Sequence, residues 1–116
     1  MIRILIADDE EIVRSMFKRH LSDYDLTFAT NWAELLSVLN RQKFDLVITD
    51  VIMPDQEEIG QKGLLNVMTE FGVPVIFVSG YSQYNDVKLP ANMLFLSKPF
   101  APVELKASIN QLLNPV

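Results

Sequence analysis

The chain has 116 residues and no cysteine, so it can hold neither a disulfide framework nor a thiolate metal site. It has a single histidine, His20, which falls late in a predicted helix and reads as a surface residue, not a catalyst. No apolar run approaches the roughly 20 residues that cross a bilayer. No signal peptide is visible, and the expectation is a cytoplasmic protein without a membrane partner. Basic residues are few, 10 Lys and Arg against 15 Asp and Glu, and the formal net charge is −5. Binding to nucleic-acid phosphates needs clustered cations, so a nucleic-acid surface is not expected. What the chain does have is apolar residues, 49% of the total, with 22% charged. That is the composition of a globular chain with its own core. The length fits one domain, read as residues 1–116.

Five short apolar runs alternate with helical patterns. Ile2–Ala7 is rich in β-branched residues and stops at Asp8-Asp9-Glu10-Glu11. Ile12, Val13, Met16, Phe17 and Leu21 then fall on one face of a predicted helix. Asp25–Thr30 is a second strand, less apolar than the first and so expected near an edge. Asn31 starts a helix, with Glu34 completing a capping box and Leu35, Leu36, Val38 and Leu39 as its buried stripe. The third strand runs from Phe44 to Asp50. Asp55–Gly63 is polar, contains two glycines and reads as a loop, and a short helix follows over Leu64–Met68, ending near Gly72. Val73–Val78 and Asn92–Ser97 are the fourth and fifth strands, with one or two helical turns expected over Gln83–Lys88 between them. A last helix begins near Pro102, with Leu105, Ile109, Leu112 and Leu113 as its stripe.

Strands alternating with helices imply a doubly wound parallel sheet covered on both faces. In such sheets the functional crevice lies beyond the carboxyl ends of the strands. That rule gathers residues far apart in sequence: Asp8 and Asp9 after the first strand, Asp50 after the third, Ser79 after the fourth and Lys98 after the fifth. Singly, each has a plain explanation. Acids favour helix N-termini, Asp and Ser favour turns, and a lone Lys is usually solvated. Their joint arrival at one edge is harder to explain that way. Close carboxylates at neutral pH need a cation or raised pKa values. Oxygen ligands without Cys or His suit Mg²⁺ or another hard divalent ion such as Mn²⁺.

At this point the sequence resembles the response-regulator receiver domain of two-component signalling. The resemblance covers essentially the whole chain. It rests on the ordered set Asp8-Asp9, Asp50-Val51-Ile52-Met53-Pro54, Ser79-Gly80 and Lys98-Pro99-Phe100. It implies a flavodoxin-like, CheY-like α/β fold: a five-stranded parallel sheet of order 2-1-3-4-5 with helices on both faces, of which the fourth is expected to be reduced because the chain between Ser79 and Lys98 is brief. The strand order comes with the resemblance, not from the spacing. By resemblance Asp50 is the phosphoacceptor. Asp9, Asp50 and the Ile52 backbone carbonyl bind Mg²⁺ directly, and Asp8 acts mainly through water. Lys98 pairs with a phosphoryl oxygen. Ser79 supplies the switch hydroxyl, Phe95 the switch aromatic, and Gly80 keeps the entrance open for the phosphoryl group. The Lys98-Pro99 peptide is expected to be cis. Partners would be a sensor histidine kinase or a phosphotransfer protein, and a downstream effector of unknown identity. The domain would assist its own phosphorylation without being an enzyme in the ordinary sense.

The sequence departs from the family's usual pattern in two places. Asp55–Gly63 is longer than usual, and the stretch between Ser79 and Lys98 is brief, which bears on the usual output face. Glu57 and Glu58 lie in the long loop and are read as solvated; Ile52 and Tyr81 occupy positions that tune phosphoryl lifetime in the family. Among rivals, a phosphatase with an Asp nucleophile usually carries a second Asp two residues on, where this chain has Ile52. A flavin or nucleotide carrier would want a Gly-, Ser- or Thr-rich loop after the first strand, where this chain has four acids. A degenerate receiver serving only as a protein-interaction module stays as the alternative. Free-standing protein, excised domain and homodimer are left open.

Overall fold

The computed structural model describes residues 1–51, 61–80 and 88–114, and of residues 61–63 the backbone alone. Five strands, β1 (Arg3–Ala7), β2 (Asp25–Ala29), β3 (Leu46–Asp50), β4 (Val75–Ser79) and β5 (Met93–Ser97), form one sheet of order β2-β1-β3-β4-β5. All four pairings are parallel, and the registers place Ala7 beside Ala29 and Thr49, Asp50 beside Val78, and Ser79 beside Ser97. The strand order reverses between β1 and β3, so their carboxyl ends flank the crevice.

The alternation within each strand sorts its side chains between two cores. Ile4, Ile6, Leu46, Ile48, Ile76 and Val78 face one side. They meet Phe17 of α1 (Glu11–His20) and Leu105 and Ile109 of the last helix, α4 (Pro102–Leu113). Leu5, Ala7, Val47, Val75 and Phe77 face the other side. They meet Trp32, Leu35, Val38 and Leu39 of α2 (Trp32–Arg41), and Leu64 and Met68 of α3 (Gln61–Phe71). The central strands β3 and β4 are buried along almost their whole length, as a sheet covered on both faces requires. β2, at the edge, is the most exposed of the first four.

Local signals fix the helix ends. The Asn31 side chain accepts the Glu34 N–H at 2.8 Å, and Glu34 reaches back to the Thr30 N–H at 3.0 Å. Glu11 opens α1, and Lys18, Arg19 and His20 close it, so both ends complement the helix dipole. Pro102 stands at the start of α4, where Glu104 accepts the Ala101 N–H at 3.0 Å. Gly72 ends α3 with φ +69, a conformation that glycine adopts without strain.

The structure corrects three readings. Ile12 is 83% exposed and leaves the buried face of α1, which Val13, Met16 and Phe17 supply. Leu36 is likewise only half-buried on α2. The helix assigned to Leu64–Met68 begins earlier, at Gln61, and includes Gly63, because backbone hydrogen bonds carry the helix through a residue of low intrinsic propensity. The rest of the 55–63 loop and the 83–87 turns lie outside the described residues. Among the described residues no helix is long and apolar enough to cross a membrane.

Candidate functional site

Each residue at the crevice is placed by the strand that precedes it. β1 leads straight into Asp8, whose N–H donates to the Ala29 carbonyl at 3.0 Å, continuing the pairing with β2 by one step. Asp50 is the last residue of β3. Lys98 follows β5, and its N–H donates to the Ser79 carbonyl at 2.7 Å, which ties the ends of β4 and β5 together. The Lys98-Pro99 peptide is cis.

The Lys98 ammonium donates to Asp50 Oδ2 at 2.8 Å and to Asp8 Oδ2 at 3.2 Å. The other Asp8 oxygen accepts the Glu10 N–H at 2.9 Å. Arg14, one turn into α1, donates through Nη1 to the Asp8 backbone carbonyl at 2.9 Å. Asp8 is only 2% exposed. Burial pushes its pKa above the ordinary value, and that cost outweighs the opposing help of the Glu10 N–H and of Lys98. Burial alone would lower the Lys98 pKa. The Asp50 hydrogen bond and the charges of Asp50 and Asp8 overcome it, and the ammonium is held above its usual range. The two shifts differ in kind. Lys98 has two anionic partners, whereas Asp8 shares one cation and loses its water.

Asp9 and Glu10 are exposed beside Asp8, and carboxylate oxygens of the three lie within 4.8 Å of one another. Such an all-oxygen set fits a hard divalent cation and not a soft one. Lys98 links Asp50 to Asp8 of this set. Ser79 is buried at the end of β4, and Gly80 follows, where an added Cβ would meet nothing within 4 Å. Phe95 is half-buried on β5, its ring 5.7 Å from that of Phe77. Ile52, Glu57, Glu58 and Tyr81 lie outside the described residues.

Two contributors escaped the sequence reading. Arg14 carries no motif; only its place one turn beyond the acidic run hints at a link to Asp8. Trp32, the first residue of α2, likewise belongs to no motif. Its indole Nε1 donates to the Asp50 backbone carbonyl at 3.4 Å, beside the Thr49 hydroxyl at 3.1 Å.

The family profile of the response regulator receiver domain matches residues 4–110. Among curated proteins, the chain is 32% identical to a probable transcriptional regulator ycf27 of Porphyridium aerugineum, over 98% of this chain and 49% of that one. It is 34% identical to the 3',5'-cyclic-nucleotide phosphodiesterase regA of Dictyostelium discoideum, over 99% of this chain and 16% of that one. The chain thus spans half or less of these two relatives. Among solved structures it resembles the receiver domain of the hybrid histidine kinase CckA, at 32% identity and a TM-score of 0.76, covering 97% of this chain and 99% of that one. It also resembles the response regulator protein TrrA of Thermotoga maritima, determined with Mg²⁺ and BeF, at 29% identity and a TM-score of 0.80, with 97% and 99% covered. The sheet order, the residues gathered at its carboxyl edge and the match over nearly the whole chain agree: this chain belongs to the response regulator receiver domain family of two-component signalling.

Proposed function

We propose that the chain is a working receiver, a single domain over residues 1–116 in which Asp50 accepts a phosphoryl group from the phosphohistidine of a sensor histidine kinase or phosphotransfer protein. The observation that carries this reading is the Lys98 ammonium bridging Asp50 and Asp8 beside the acidic trio. An Asp50 oxygen attacks phosphorus, the P–N bond breaks, and the leaving imidazole takes up a proton. Lys98 is placed to follow the phosphoryl oxygens as charge grows on them. Asp8, Asp9 and Asp50, with the Ile52 carbonyl, would hold Mg²⁺ or Mn²⁺, which when bound screens negative charge on the transferring group. Glu10 belongs to the same acidic neighbourhood. TrrA, whose structure carries Mg²⁺ and BeF, supports this reading by analogy.

A groove of about 370 Å³ lined by Glu10, Val13, Met16, Lys98, Pro99 and Phe100 offers a macromolecular donor a seat beside the site. Once Asp50 is phosphorylated, the Ser79 hydroxyl and the Phe95 ring shift the surface around β4, β5 and α4 toward an effector-binding form, a change between two packings. The domain works as a signalling module, not as a turnover enzyme.

Incubation with acetyl phosphate and Mg²⁺, followed by intact mass, tests the reading. One added phosphoryl group is expected. It disappears in Asp50→Asn and without the metal. Absence of phosphorylation in the wild type, together with failure to bind Mg²⁺–beryllofluoride, would leave a protein-interaction module as the function.

A further inference from the structure

Trp32 is the only tryptophan of the chain, and it is fully buried. It is the first residue of α2, immediately after the Asn31 cap that fixes the start of that helix. Because α2 follows β2, the Trp32 ring starts beyond the end of that strand. From there it reaches past the end of β1 to β3, since β1 lies between those two strands. Its Nε1 donates to the Asp50 carbonyl. A buried indole N–H left without an acceptor is costly, so this contact favours one position for both partners.

The peptide unit that follows Asp50 is held at both ends. Its carbonyl accepts from Trp32 and from the Thr49 hydroxyl, and its N–H, on Val51, donates to the Val78 carbonyl at 3.1 Å. With the preceding peptide held in β3, fixing that plane sets the direction in which the Asp50 side chain leaves the backbone, toward Lys98 at 2.8 Å. We infer that Trp32 is a positioning residue for the phosphoacceptor: its indole N–H holds the Asp50 backbone so that the carboxylate is already aimed at the phosphoryl donor. The inference rests on the reading of Asp50 given above. Trp32 acts through the Asp50 backbone carbonyl.

The test uses Trp32→Phe, which keeps a ring and deletes the N–H. Leu35→Val is its control, since Leu35 is fully buried on the same helix and in the same core but carries no polar atom. Phosphorylation by acetyl phosphate is followed over a concentration series with saturating Mg²⁺. Trp32→Phe is expected to lower the maximal rate roughly threefold to tenfold, the size of one hydrogen bond, with KM unchanged. Leu35→Val is expected to lose thermal stability and keep its rate. In the metal-free protein, Trp32→Phe is expected to move the Asp50 carbonyl-carbon resonance upfield, and Leu35→Val to leave it in place. A maximal rate unchanged in Trp32→Phe while the wild type is active would overturn the inference alone. So would equal rate losses in the two variants. A wild type that gains no phosphoryl group and binds no Mg²⁺–beryllofluoride would overturn the reading of Asp50 and this inference with it.

Discussion

Lys98 Nζ lies 2.8 Å from Asp50 Oδ2 across 48 residues of chain, and it is shared with Asp8 across 90. One ammonium thus serves two carboxylates at the crevice between β1 and β3. A cation in that place does two opposing things. Under the proposed function it would stabilise charge on an incoming phosphoryl group, and it would repel a divalent metal.

Replacing Lys98 by methionine separates the two effects. The variant keeps an unbranched apolar side chain and loses the terminal ammonium, and with it the charge. Phosphorylation of Asp50 is expected to fall roughly 10- to 100-fold, the scale of a charge-assisted hydrogen bond. Mg²⁺ is expected to bind several-fold tighter, because the remaining carboxylates are less neutralised. Equilibrium titration and phosphorylation kinetics on the same sample check both directions. Weaker Mg²⁺ binding would show that Lys98 organises the acids instead of competing with the metal.

Asp8 carries a pH prediction. A carboxylic acid whose folded pKa is raised holds its proton more tightly in the folded chain than in the unfolded one. Its contribution favours folding below the ordinary value of 3.8 and is lost as pH rises through the folded value. At neutral pH the ionised, buried Asp8 therefore opposes folding of the metal-free chain. Asp8→Asn keeps an oxygen for the Glu10 N–H and is expected to raise Tm at pH 7 by a few degrees, the effect of roughly 1 kcal/mol in a domain of this size. The gain should shrink as pH falls toward 3.8. Mg²⁺ affinity should drop in the same variant. A Tm gain that grows with acidity would contradict the assignment.

The metal itself should stabilise. A ligand that binds only the folded chain adds about 2.7 kcal/mol at a hundredfold excess over Kd. Adding Mg²⁺ to metal-free protein should raise Tm by several degrees, and chelation should reverse it. Asp50→Asn together with Asp9→Asn should abolish the response.

The helix ends give predictions independent of the site. Asn31→Ala removes the acceptor for Glu34 N–H and should cost about 1 kcal/mol by urea unfolding. Gly72→Ala meets no atom within 4 Å, so any loss there is the price of φ +69 alone, again about 1 kcal/mol. Neither variant should alter the maximal rate of Asp50 phosphorylation, although Asn31 directly precedes Trp32. A rate loss in Asn31→Ala would mean that the cap also sets the position of the indole.

The strands were legible because their apolar runs are short and end abruptly at Asp8, Asp50, Ser79 and Lys98, and a parallel sheet turns those ends into one edge. The capping box at Asn31 was legible because its two side chains act within four residues. Ile12 was misread because periodicity reports spacing and not coverage. Val13, Met16 and Phe17 already supply the buried side of α1. The start of α3 was misplaced because Gly63 and the polar residues before it outweigh, in local propensity, a helix that tertiary packing of Leu64 and Met68 supports. Trp32 and Arg14 are the least legible of the site residues. Each acts on a backbone carbonyl, of Asp50 and of Asp8, and carbonyls leave no mark in a sequence.

The central claim is that the phosphoryl group sits on Asp50. An acyl phosphate is reduced by borohydride to an alcohol, which converts the phosphorylated aspartate into homoserine. Protein treated with acetyl phosphate and Mg²⁺, reduced and digested, is therefore expected to yield a single homoserine, at position 50. Homoserine at position 8 or 9, or an acid-stable phosphate on Ser79 or Thr49 with aspartate intact at 50, would contradict the account.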